Sequence, residues 1–153
     1  MEPTKVFVGV DPGKTGAIAV IDEDNNVLEL INFNDNISDE MIKIKSTYNI
    51  IMASLEKVAS MPGQGVRSVF SFGTNYGYWQ GILDTLGIPY MLVRPQEWQK
   101  GLGLPKDRKD RKKAIAHSAK SRFPLAELYG ARGGLLDGRS DALMIAWYTK
   151  NNS

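Results

Sequence analysis

Apolar residues in this chain of 153 fall into runs whose period changes along the sequence. Residues 6 to 10 (Val-Phe-Val-Gly-Val) and 17 to 21 (Ala-Ile-Ala-Val-Ile) are continuous apolar stretches, as expected of buried strands. Pro12-Gly13 through Gly16 supplies a reversal between them, and Asp22 to Asn26 a second, so residues 27 to 31 complete a three-strand meander. Ile37, Met41, Ile44 and Tyr48 then recur at helical spacing, with Ser38 as cap and Asp39 and Glu40 in the first turn. Residues 50 to 55 read as a fourth strand that delivers Glu56 at its end.

Between Val69 and Leu86 the spacing predicts a helix with two stripes, Phe72, Tyr76, Trp79 and Leu83 on one and Gly73, Gly77 and Gly81 on the other. Interior glycines cost about 1 kcal/mol each relative to alanine, and close approach of another backbone would compensate. A segment broken into turns is the alternative. Gly87 and Pro89 end it before a fifth strand at residues 90 to 93. Residues 95 to 104 read as a loop or short helical turn, and a basic helix runs from Lys109 to Arg122 until Phe123-Pro124. Residues 129 to 134 are expected to be mobile, and a last helix starts at Asp137 or Ser140 and ends at Tyr148. The order predicts a single α/β domain over residues 1–153, a mixed five-stranded sheet flanked by helices.

Composition narrows the setting. The chain has no Cys, no apolar run near 18 residues and no signal-peptide pattern, so a soluble, intracellular (cytoplasmic) protein with no membrane partner is expected. The net charge of +2 conceals an asymmetry. Residues 101 to 125 hold eight Lys or Arg against Asp107 and Asp110, a local excess of +6 on a remainder of −4. Such a concentration is the footprint of a phosphate-binding face, or else of a solvated Lys-rich helix.

Acidic residues supply the candidate chemistry. Asp11 ends the first strand, Glu56 ends the fourth, and Asp137 and Asp141 head the last helix, four residues apart on one face. Each has a plain structural alternative: an Asp-Pro-Gly turn, a polar strand end, a helix cap. Together they bring carboxylates from three elements to the edge of one core, which is costly without a partner. Arg139 is the only basic residue beside the last pair in sequence. Oxygen-only ligation suits Mg²⁺, with Mn²⁺ as a substitute. Two such ions, roughly 4 Å apart, would activate a water and stabilise a leaving 3′-oxygen at a phosphodiester.

Four segments in order, Val8 to Ala17 (VGVDPGKTGA), Leu55 to Val66 (LEKVASMPGQGV), Val93 to Trp98 (VRPQEW) and Asp137 to Ala146 (DGRSDALMIA), resemble the RuvC-like Holliday-junction resolvases, in their phage and organellar variety. The resemblance spans residues 6 to 148. It implies an RNase H-like fold and a homodimer that cuts four-way DNA junctions with divalent metal, in the host cytoplasm if phage-encoded. The implied products are paired symmetric cuts with 5′-phosphate and 3′-hydroxyl ends. It implies further that Asp11 bridges the metals, Glu56 holds one, and Asp141 with a fourth acid completes the site. Bacterial members often carry that fourth ligand where this chain has Gly138, so Asp137 is the nearest substitute.

Phosphate contacts are expected from Lys109, Arg111, Lys112 and Lys113, and contacts near the junction centre from Lys57, Gln64, Arg67, Phe70 and Phe72. Phe70 and Phe72 are alternatively core. His117 is expected to be structural or a minor phosphate contact. Three other functions compete. An RNase H-like nuclease for RNA or flaps would share the acids, and a non-cutting junction-binding protein would leave them without purpose. An actin-like kinase would share Asp11 to Thr15, but it needs two related domains. A two-fold substrate favours a two-fold protein, with the Gly73, Gly77, Gly81 stripe as part of its seam.

Overall fold

Strand parity decides which face of the sheet each residue joins. The computed structural model describes residues 2–57, 59 and 62–153, so Val58, Ser60 and Met61 of the second quoted segment lie outside the described residues. Strand β1 (Lys5–Asp11) pairs antiparallel with β2 (Ala17–Asp22), and β2 antiparallel with β3 (Val27–Asn32). On its other side β1 pairs parallel with β4 (Asn49–Glu56), which pairs parallel with β5 (Tyr90–Val93). The order β3-β2-β1-β4-β5 makes the mixed five-stranded sheet that the element order predicts.

Val6, Val8, Val10, Ile18 and Val20 face one core, shared with α1 (Ile37–Thr47) and α2 (Val66–Thr85). Phe7, Ala17, Ala19 and Ile21 face the other, shared with α3 (Pro95–Trp98), α4 (Arg108–Arg122) and α5 (Asp137–Asn151). The central strands are therefore covered on both sides, which accounts for their unbroken apolar runs.

Several boundaries differ from expectation. Asn36, not Ser38, precedes the first turn of α1, and α2 begins three residues earlier than its apolar stripe suggests. The Asp107 side chain accepts from the Asp110 amide at 3.1 Å and so caps α4. Residues 129–134 form a turn closed by a Tyr129–Leu135 bridge and by Gly130 N–H donating to Gly134 O at 2.8 Å. Among the described residues, no helix is long and apolar enough to cross a membrane.

Helix α5 lies unusually close to β1. A Cβ on Gly9 would overlap the Ala142 carbonyl oxygen and the Ala146 amide nitrogen and stand 3.0 Å from the Ala146 Cα. One on Gly138 would overlap the Thr15 carbonyl and stand 2.8 Å from the Gly16 Cα. Gly138, Ala142 and Ala146 thus form the small-residue face with which α5 rides over β1 and the turn beyond it. Further along the helix, the buried Thr149 hydroxyl donates to the Ile145 carbonyl and shares a 2.6 Å hydrogen bond with the Ser54 hydroxyl of β4.

Candidate active site

Asp11 and Glu56 arrive together because of parity and register. Phe7 and Gly9 point toward α5, so Asp11 does as well. On β4, Ala53 and Leu55 belong to the opposite core, while Ser54 bonds to α5, so Glu56 shares the α5 side. Val10 is in register with Leu55, which sets Asp11 beside Glu56 at the C-terminal ends of two parallel strands. The close seat of α5 on Gly9 brings its first turns, with Asp137 and Asp141, to the same edge.

Electrostatics record this convergence. Burial, with the Asp137 charge adding, pushes the Asp11 carboxyl from 3.8 up to about 6, against the Gly13 N–H bond at 3.0 Å and the Lys112 charge. Burial and the Asp11 charge push Glu56 from 4.5 up to about 7, opposed by a hydrogen bond from the Trp98 indole. Asp141 is raised well above its ordinary value by burial and by Asp11, Glu56 and Asp137. Groups that hinder each other's ionisation are one cluster, of the kind found at functional sites.

Two contacts temper the cluster. Lys112 Nζ lies 3.1 Å from Asp137 Oδ2, and its charge also favours ionised Asp11 and Asp141. Trp98 Nε1 donates to Glu56 Oε2 at 2.7 Å. Among the described residues, no three His, Cys, Asp or Glu side chains form a ready-made coordination shell. The donor set itself, all carboxylate oxygen and reluctant to ionise without a positive charge, fits a hard divalent cation.

The predicted DNA contacts are distributed differently from their grouping in sequence. Lys112 does not share an outward face with Lys109 and Lys113, since it turns to the acids while those two are exposed. Arg111 closes the loop before α4, donating to the Pro105 carbonyl at 3.1 Å and the Lys106 carbonyl at 2.8 Å. Arg139, the basic residue nearest the acids in sequence, instead donates to Asn32 Oδ1 at 2.7 Å and to the Glu127 carbonyl. His117 is exposed on α4.

Phe72 and Phe70 lie outside the core, 43% and 77% exposed. Phe72 separates two clefts. One, of about 640 Å³, is lined by Lys57, Gln64, Arg94 and Arg108. The other, of about 470 Å³, is lined by Lys14, Arg67 and Asn75. Lys14 and Arg94 carry no DNA role in the sequence reading, and Arg108 none beyond its place in the basic segment, because their proximity depends on how α2 and α3 settle at the sheet edge. A larger cleft, about 750 Å³, runs between β3 and residues 122–127 and includes none of the four acids.

The raised carboxyls set the pH response of the metal-free protein. Between the ordinary values of 3.8 and 4.5 and the raised values of about 6 and about 7, the folded state holds protons that the unfolded chain has released. Stability contributed by this cluster therefore rises as pH falls through that window. In chelator, the melting temperature is expected to be higher at pH 5.5 than at 7.5 by about 2–6 °C, for on the order of 1–2 kcal/mol. Thermal melts at the two pH values check this, and a higher value at 7.5 would contradict it.

No family model and no curated relative matches the chain. Solved structures do. T. thermophilus RuvC in complex with a Holliday junction substrate matches with a TM-score of 0.68 and 16% identity, covering 94% of this chain and 91% of that one. A second Thermus thermophilus RuvC structure gives 0.64 and 17%, covering 94% and 92%. The yeast mitochondrial Holliday junction resolvase Ydc2 gives 0.51 and 14%, covering 98% and 79%. At such identities the likeness is one of fold: the sheet and its flanking helices are the RNase H-like arrangement of those proteins.

Proposed function

We propose that this chain is a RuvC-like resolvase, a metal-dependent endonuclease that cuts four-way (Holliday) DNA junctions in pairs and leaves 5′-phosphate and 3′-hydroxyl ends. The observation that carries the reading is the convergence of Asp11, Glu56, Asp137 and Asp141 from β1, β4 and α5 at one sheet edge. The RNase H-like fold and the junction-bound RuvC neighbour supply the substrate class.

In this reading the four acids hold Mg²⁺ or Mn²⁺, two per site. Bound there, the ions supply Lewis acidity at the phosphate and a nucleophilic water. The chain's own residues do the rest. Asp11 takes the central place between β4 and α5, its Oδ1 fixed by the Gly13 amide. Asp137 serves as the fourth acid because Gly138 has no room for a side chain. Lys112 offsets the surplus negative charge and stands within reach of a phosphate drawn to the acids. The two basic clefts beside Phe72 lead DNA strands past the site, with Phe72 available to stack on an unpaired base.

A labelled panel of four-way junction, flap, linear duplex, RNA and RNA–DNA hybrid tests the substrate. Preference for the junction by tenfold or more is expected. Equal or faster cutting of flap or RNA would move the protein to another branch of RNase H-like nucleases, and binding without cutting would make it a junction-binding protein.

Arg108, Lys109 and Lys113 bind duplex phosphates from α4. Their joint replacement by Ala is expected to reduce the slope of log affinity against log salt by roughly 0.9 for each phosphate no longer neutralised. Binding titrations across salt concentrations measure it, and an unchanged slope would place the DNA on another face.

The protein acts as a homodimer in the same proposal. A Cβ on Gly73, Gly77 or Gly81 would meet nothing within 4 Å, so this stripe of α2 is an open groove in the protomer. Exposed Val66, Phe70 and Tyr78 lie on the same helix, and Ile42 with Leu86 borders an adjoining apolar hollow. Gly77→Leu is expected to shift the protein to monomer and unpair the two nicks. Light scattering with a cruciform-plasmid assay reads both; a wild-type monomer, or a mutant that stays dimeric, would exclude this seam.

A further inference from the structure

Trp98 is 2% exposed, yet its indole nitrogen spends its one hydrogen bond on an acid of the site. Val93 of β5 is in register with Glu56, and α3 then turns the backbone back across the strand ends. Pro95 opens that short helix with its φ already set, and Gln99 N–H closes it on the Pro95 carbonyl at 3.0 Å. The ring packs into the core shared with α4 and α5, so its orientation is fixed by that packing.

Burial of an indole does not by itself require Glu56 as a partner. Trp79, equally buried on the other side of the sheet, leaves its N–H without an acceptor among the described residues. The Trp98–Glu56 bond is short, at 2.7 Å, and occupies Oε2. The bond uses one of the carboxylate's acceptor positions and leaves the others for a cation.

We propose that Trp98 is a positioning residue for the acid site, holding Glu56 by Oε2 so that its carboxylate is presented to a divalent ion in a single orientation. This rests on the metal-site reading given under the proposed function. Hydrogen-bond partners of metal ligands, when removed, usually cost 10–100-fold in metal affinity. The sequence motif Val93 to Trp98 acquires a role by this route: it is the arm that carries the indole to Glu56.

The test is Mn²⁺ binding by electron paramagnetic resonance in the absence of DNA. It compares wild type, Trp98→Phe and a protein carrying 3-benzothienylalanine at position 98, which keeps the ring shape and lacks only the N–H. Both variants are expected to bind Mn²⁺ about 10–100-fold more weakly. Junction cleavage should need correspondingly more Mg²⁺ and recover its maximal rate at saturation, a shift that looser packing alone would not produce. Wild-type affinity in the benzothienyl protein would overturn the positioning role and leave the metal site standing. A wild type that binds no Mn²⁺ would overturn both.

Discussion

Asp141→Asn is expected to abolish junction cleavage while raising the melting temperature of the metal-free protein. The two effects share one cause. Asp141 is buried among Asp11, Glu56 and Asp137, and its ionisation is opposed by all three. An amide of nearly the same volume has no charge to bury or to be repelled by its neighbours, so the metal-free protein should melt at a higher temperature near neutral pH. In the proposed metal site it also removes a negative ligand. Loss of several kcal/mol of transition-state stabilisation corresponds to a rate reduction of about 10³-fold or more. Asp11→Asn and Glu56→Gln should act alike on cleavage, whereas junction binding in Ca²⁺ should persist, since the same proposal puts phosphate affinity on the basic residues. Cleavage within tenfold of wild type, or a lower melting temperature at pH 7.5, would remove Asp141 from the site.

The second large effect is structural in origin. Gly9→Ala places a methyl group into the Ala142 carbonyl and the Ala146 amide, backbone atoms of a regular helix that cannot step aside singly. Relief requires α5 to lift from β1 as a body, opening the core that holds Phe7, Leu143 and Ile145. Overpacking of this kind costs about 3 kcal/mol or more, a fall of roughly 6–12 °C in melting temperature. Because α5 carries Asp137 and Asp141, its lift also draws them from Asp11 and Glu56. Cleavage measured well below the melting transition should therefore fall by a further factor of about 100 or more, in line with what a displacement near 1 Å can do to an aligned site. Calorimetry and cleavage rates on the same preparation test this, and a variant with wild-type values would mean that the helix is not seated on Gly9.

This dependence on Gly9 separates what could be read from the chain from what could not. The three acid-bearing elements were legible because strands covered on both faces leave continuous apolar runs, and Asp11 and Glu56 each stand at the end of one. Parity adds that both acids must face α5. The closeness of α5 was not legible. Gly9 sits inside a strand run, and Gly138, Ala142 and Ala146 sit inside a helix, so each is locally unremarkable and the fit exists only between them. Lys112 illustrates the same limit from the polar side. Its neighbours in sequence are cationic, which suggests one phosphate-binding face, but the seat of α4 against α5 turns Lys112 alone toward Asp137. Trp98 is quoted in the Val93 to Trp98 motif, yet only the parallel register of β4 with β5 brings its indole to Glu56. Phe72 joins the apolar stripe of α2 by spacing but ends 43% exposed, because the sheet covers only the C-terminal part of that helix, where Trp79 and Leu83 are buried.

The most direct measurement maps cleavage of a single immobile four-way junction, end-labelled on each strand in turn, with Mg²⁺ and with chelator. Cuts are expected in Mg²⁺ alone, at symmetry-related phosphates on two opposing strands, giving nicks that DNA ligase seals without further processing because they carry 5′-phosphate and 3′-hydroxyl ends. Cutting that survives the chelator, or no cutting of the junction by a protein that binds it in Mg²⁺, would contradict the claim that these four carboxylates form a metal-dependent junction-resolving site.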